Sequence, residues 1–305
     1  MERPKIELYQ VRSFSDKLSA VFAFFGENHK TLLKYLVYFL LPLSLLQGVA
    51  MDGYFSSATS MSTGGDKVDG YLGMLMGSMG AMILLYTIGS MLMMTIVYAL
   101  MRLYRERENR LLHLTWNEFK TVFMMLLRRC LILMLVGILL SVVIVLLMVA
   151  FVAMHWSLIF VAILALVTVC IPLALLYPIY FFEDDITILG AFSKAFRLGF
   201  PTWGGIFGVM FVLSLLGSFI SGMISLPWTI LSVMKMVLGA EADEFSFVNS
   251  AGYSFIVYLL GAVQAFVGYF AYSLPFIGLA YQYGHASEKI DHVTMESDID
   301  RFEQL

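Results

Sequence analysis

Histidine is the side chain best suited to binding a metal or moving a proton near neutral pH, and the chain carries His29, His113, His155, His285 and His292. No two of them stand at a metal-ligand spacing such as H-x-x-x-H. They read as interfacial or solvent-facing residues, with His155 in a short turn at 153–156. Neither a Gly-x-Ser-x-Gly elbow nor a phosphate loop is present, so the sequence nominates no catalytic residue, no metal ligand and no cofactor. Asp52, Asp66, Asp69, Glu241, Asp243 and Glu244 lack calcium-loop spacing and read as solvated loop acids. Methionines are dense between Met74 and Met101, and soft thioethers can pass Cu(I) along a pore. Met76, Met79 and Met82 drift around a helix instead of holding one stripe, which favours adaptable apolar packing.

Polar side chains inside apolar runs are the remaining candidates: Gln47, Thr87, Thr95, Thr168 and Gln264, the last near the middle of its run. Proton-coupled carriers and intramembrane enzymes place ionisable groups at such depth, and no run holds one there. Two readings stay open for the five. They form interhelical hydrogen bonds that hold a bundle together, or they line a wet path across the bilayer, which would favour transport.

Lipid is the solvent that must position these residues. Of 305 residues, 60% are hydrophobic and 13% charged, whereas a soluble chain carries about 25% charged residues. This excludes a secreted scaffold, a disordered chain and a nucleic-acid binder built on a basic face. About 20 apolar residues in a helix cross a hydrocarbon layer of about 30 Å. Six runs meet or nearly meet that length: 31–51, 71–101, 130–152, 157–182, 203–226 and 253–281. Cys130 and Cys170 fall in or beside such runs and read as small hydrophobes with no disulfide.

Positive side chains resist translocation. Of 19 lysines and arginines, all but Lys67 and Lys235 flank one side of the six runs, which places both termini in the cytoplasm. Pro42, Pro172, Pro178 and Pro275 are expected at kinks that face neighbouring helices, and Pro227 is expected to end the fifth span.

An amphipathic stretch precedes the first, third and fifth spans, at 14–26, 114–126 and 188–200. In the first, Phe14, Leu18, Val21, Phe22 and Phe25 form an apolar stripe with Asp16 and Lys17 off it. In the second, Thr115 and Glu118 have capping-box spacing. In the third, Glu183, Asp184 and Asp185 suit a helix N-terminus. The expected fold is an all-α integral membrane protein with six transmembrane helices, built as three repeated units of cytoplasmic interfacial helix plus hairpin. It forms a single domain over 1–305: a leader at 1–30, a bundle at 31–281 and an acidic tail at 282–305.

With that layout, the segment from Ile188 to Leu213, ILGAFSKAFRLGFPTWGGIFGVMFVL, resembles bacterial six-span proteins related to the membrane domain of glycerophosphoryl diester phosphodiesterases. Ala191 and Phe196 fit that family's Ala-x-x-x-Ser-aromatic pattern, while Ala195 stands in the serine place. The resemblance implies a membrane module tied to lipid metabolism and carries over no catalytic residue.

Gly73 with Gly77, Gly204 with Gly208, and Ser214, Ser218 and Gly222 have the spacing of helix-contact positions, within the chain or between copies. In the tail, Ile299, Phe302 and Leu305 share a face among acids that suits Arg102, Arg105, Arg107 and Arg110. The functional expectation is a non-enzymatic inner-membrane module that organises membrane lipids or a cytoplasmic-face protein partner, with self-association open and no nucleic acid. The alternatives are a lipid or small-molecule transporter or channel and, after it, an interfacial enzyme.

Overall fold

The computed structural model describes residues 4–63, 68–155, 158–238 and 246–294. Eight α-helices follow in chain order: α1 (Phe14–Thr63), α2 (Val68–Glu106), α3 (Trp116–Met154), α4 (Leu158–Leu173), α5 (Leu176–Phe182), α6 (Ile188–Gly199), α7 (Trp203–Leu238) and α8 (Ala251–Asp291). Six helical stretches, α4 and α5 together making one of them, are long and apolar enough to cross a membrane. Among the described residues there is no strand. The apolar surface demands the same solvent. Leu139 and Leu146 of α3 and Leu164 of α4, the last 70% exposed, would each cost about 1.5–3 kcal/mol left in water. The chain is a multi-pass, all-helical membrane protein.

Several expected boundaries move. Pro227 lies inside α7 instead of ending it. The helix continues past it: Trp228, the next residue, and Ser232, about one turn further on, are buried, and the Tyr253 hydroxyl donates to the Leu231 carbonyl (2.8 Å). The fourth span breaks at Ala174–Leu175 between Pro172 and Pro178, where Ala174 N–H turns back to Cys170 and Ile171 carbonyls. Only the third amphipathic stretch is a separate helix, α6, because Pro201 follows its last turn. The first two run without a break into α1 and α3, since neither Gly26 nor the stretch after Leu126 brings a proline. At the start of α3 the Thr115–Glu118 capping box forms: Thr115 N–H donates to the Glu118 carboxylate (2.9 Å).

The chain divides into two compact units. The first draws on Met1–His29, Thr95–Leu213 and Leu274–Leu305. Its leader is an extended run that hydrogen-bonds along two helix ends. Lys5 Nζ donates to the Arg105 (2.7 Å) and Arg107 (3.1 Å) carbonyls, capping the C-terminus of α2, and Arg12 N–H donates to His285 Nδ1 (3.0 Å) on α8. Aromatic edges fill the core of this unit: Phe24 against Tyr104 and Tyr281, and Tyr98 against Phe181, Phe182 and Phe276. Thr187 caps α6, whose Ala191, Ala195 and Leu198 are buried. Gly199 closes this helix on α4, where a Cβ would stand 2.6 Å from Pro172 Cα.

The second unit draws on Lys30–Met94 and Ser214–Ser273, the remaining lengths of α1, α2, α7 and α8. Here α1 meets α8 at Gly48, where a Cβ would lie 3.0 Å from the Tyr258 carbonyl oxygen. α7 meets α8 at Gly217, 3.1 Å by the same construction from the Ala271 carbonyl. Lys235 pairs with Asp52 at 2.9 Å, so one of the two cations expected on the outer side is held by an acid of α1.

Candidate functional site

Within the second unit the helices leave a cavity of about 410 Å³. Its walls are Gln47 and Met51 of α1, Met82, Ile83, Tyr86 and Thr87 of α2, Ser221 of α7, and Gln264, Ala265, Gly268, Tyr269 and Tyr272 of α8. The size suits a small amphipathic molecule, since ligand pockets span about 300–1,000 Å³. Tyr269 anchors the polar side: its hydroxyl donates to Gln47 Oε1 (3.1 Å), and its ring stacks on Tyr86 with centroids 5.9 Å apart. Gly89 is where α2 makes room for that ring, because a side chain there would collide with it. Gln264 Oε1 is buried and accepts no hydrogen bond from any described residue. A buried amide oxygen without a partner is costly. No side chain in the lining is charged at neutral pH.

The structure therefore brings Gln47, Gln264 and Thr87 to one cavity, with the Thr87 hydroxyl returned to the Ile83 carbonyl (2.7 Å). It separates the other two candidates from them. Thr95 is buried in the first unit, where it hydrogen-bonds Cys130. Thr168 is exposed there, and its carbonyl accepts from Trp203 Nε1 (3.2 Å). No family model, curated protein or solved structure matches this chain.

Within the chain the small-residue positions divide. A Cβ at Gly73, Gly77, Gly204 or Gly222 would meet nothing within 4 Å among the described residues. Gly208 does approach a neighbour, at 3.0 Å from the Phe14 ring, and Ser218 bonds the Tyr272 hydroxyl at 3.1 Å, while Ser214 is half-buried. The close approaches fall instead at Gly48, Gly89, Gly199, Gly217 and Gly284, which follow no Gly-x-x-x-Gly spacing because each faces one particular ring or carbonyl.

The first unit carries a dense charged layer. Arg102, largely buried, clasps Asp184 with two bonds (2.9 and 2.7 Å) and reaches Glu106 (2.8 Å). Arg129 donates to the Tyr180, Glu183 and Asp184 carbonyls at the end of α5. Glu183 takes Lys194 (2.8 Å) and the Tyr283 hydroxyl (2.5 Å). These acids therefore serve ion pairs, while Thr187 caps α6. The arginines assigned to the acidic tail are engaged as well, Arg107 with Glu118 and Arg110 with Glu27; tail residues 295–305 lie outside the described residues. His285, expected at the interface, is buried.

The hydrogen bonds and charge of Arg102, with Arg129 and Arg105 beyond, hold the Asp184 carboxyl below the usual carboxylate range. A depressed folded pKa adds stability above the ordinary value of about 4 and loses it as pH falls through the folded value. The Asp184 side chain is 53% exposed, so screening keeps its effect to about 1 kcal/mol. Asp184→Asn is expected to lower the thermal midpoint at pH 7 and to lower it by less at pH 3. A gap of equal size at both pH values would contradict the assignment.

Proposed function

We propose that the chain is a non-enzymatic, multi-pass module of the bacterial inner membrane, with both termini cytoplasmic, that organises membrane lipid by holding one molecule between its helices. The cavity of the second unit carries this reading: it is mostly apolar, uncharged, and lined by glutamines, among them the Gln47 paired with Tyr269. The relation to the membrane domain of glycerophosphoryl diester phosphodiesterases is a proposal of the same kind, resting on Ile188 to Leu213. Transport is the second reading. It is less favoured because Thr95 and Thr168, which a continuous polar path would need, do not line the cavity.

Photocrosslinking in native membranes with a diazirine-tagged diacylglycerol tests the proposal. Label on the peptides holding Met82–Thr87 and Gln264–Tyr272 should saturate with probe, while label on lipid-facing Leu139 should rise linearly. Linear labelling at all three would remove the cavity as a site. Orientation is read in a Cys170→Ala background, where Ser250→Cys should react with an impermeant thiol reagent in intact cells and Glu108→Cys should not. The opposite pattern would invert the topology.

A further inference from the structure

Lys17 is only 4% exposed, and its ammonium has one polar partner among the described residues, the Gln282 Oε1 at 2.8 Å. A buried ammonium without an acid is unusual, because an unpaired interior charge costs several kcal/mol. An ammonium can only donate, so Gln282 must turn its oxygen to Lys17 and its Nε2 away. That Nε2 belongs to a fully buried side chain, meets no acceptor, and lies where a Cβ on Gly205 would be 3.0 Å away, against the first turn of α7. There the N–H groups of Gly204 and Gly205 take no backbone partner among the described residues, and the helix presents its positive end.

The surroundings add positive charge. Arg12 is buried with its guanidinium on the Glu7 and Leu8 carbonyls and over the Tyr281 ring at 5.3 Å. Lys289 acts on both Lys17 and His285. His285 spends Nδ1 as an acceptor for Arg12 N–H and so offers no charge of its own. The nearby carboxylates are committed: Asp16 to Ser13 (2.6 Å), Glu288 to Thr294, Asp291 to Arg197 (2.8 Å), while Glu7 faces Arg12.

We infer that Lys17, Gln282 and the N-terminal turn of α7 form a binding site for a phosphate oxyanion, supplied by a phospholipid headgroup or by a soluble phosphate. A phosphate oxyanion, negatively charged and rich in acceptor oxygens, matches a site that offers donors. The site lies in the first unit and is independent of the proposed lipid cavity.

The test is thermal unfolding of the full chain in neutral detergent, in two arms. One compares inorganic phosphate with chloride at equal ionic strength. The other compares mixed micelles containing phosphatidylglycerol with micelles containing diacylglycerol of the same chains. One phosphate-bearing condition should raise the midpoint saturably by about 3 °C or more. A rise with inorganic phosphate assigns a soluble ligand; a rise with phosphatidylglycerol alone assigns the headgroup. Lys17→Met and Gln282→Leu should each abolish it. Without anion, Lys17→Met should be at least as stable as the wild type, since it removes an unpaired buried charge. The inference fails if neither phosphate-bearing condition shifts the wild type beyond its own control, chloride in one arm and diacylglycerol in the other, or if the variants respond like the wild type. Gln282→Leu decides the matter should Lys17→Met not fold.

Discussion

Gly284→Val is expected to release the leader from α8 and to lower the thermal midpoint more than any conservative surface change. A Cβ at Gly284 runs into the backbone carbonyl of Leu8, with the carbonyl carbon 2.8 Å away. Backbone cannot rotate aside as a flexible side chain can, so the leader must move as a piece. Its displacement takes with it the Lys5 bonds to α2, the Tyr9–Tyr283 hydroxyl contact (3.3 Å) and the Arg12–His285 bond. The cost belongs at the upper end of the roughly 1–3 kcal/mol typical of overpacking, or above it. Limited trypsin digestion reads the same event, with early cleavage at Lys5 and Arg12 in the variant only. Gly73→Val is the control: a Cβ there meets nothing within 4 Å among the described residues, and it should change the stability by about 0.5 kcal/mol or less. Equal trypsin patterns for wild type and Gly284→Val would show that the leader is not held at this contact.

The six long helices are legible in the sequence because twenty apolar residues in lipid leave the backbone no alternative to internal hydrogen bonding. The Thr115–Glu118 cap is legible for an equally local reason: it needs only residues three apart. Which face of a helix turns inward is not. In α1 the stripe Phe14, Leu18, Val21, Phe22 and Phe25 does not say which of its members pack: Phe14 and Phe22 are exposed, Leu18 and Phe25 half-buried, and Val21 is buried with Lys17, Phe24 and Asn28. In a soluble protein the apolar stripe points at the core because water surrounds everything else. Lipid is as apolar as a core, so an apolar side chain can face either one, while the polar side chains turn in. Read by that rule, the run Lys17, Val21, Phe24, Asn28 was a visible signal, and so was Gln282 four residues after Gly278 at the end of α8.

The candidate cavity was half legible for the same reason. Gln47, Thr87 and Gln264 are conspicuous because polar side chains are rare in apolar runs. Tyr269 and Gly89, which shape the cavity, are not, since tyrosine and glycine are common in membrane helices and their meeting depends on how α2 lies against α8. Thr95 and Thr168 carry the same sequence signal and end elsewhere, one on Cys130 and one with its hydroxyl returned to Leu164. One residue's polarity reports that a partner is needed, and the fold decides which partner that is.

Gly268→Leu offers the most direct way to ask whether the cavity is a lipid site. Gly268 lines the cavity, and a Cβ there would meet only Ser221 Oγ at an ordinary 3.8 Å, so a leucine enters the space without displacing backbone. Replacing a mid-helix glycine removes a penalty of about 0.5–1 kcal/mol, so the variant should be at least as stable as the wild type. Loss of ligand therefore cannot be mistaken for loss of fold. The decisive measurement is the mass of the intact protein released from detergent micelles, with extracted lipid quantified beside it. The expected result is a wild type carrying close to one lipid per chain and a Gly268→Leu protein carrying at least tenfold less at an unchanged or higher midpoint. An empty wild type, or equal lipid on both proteins, would contradict the account.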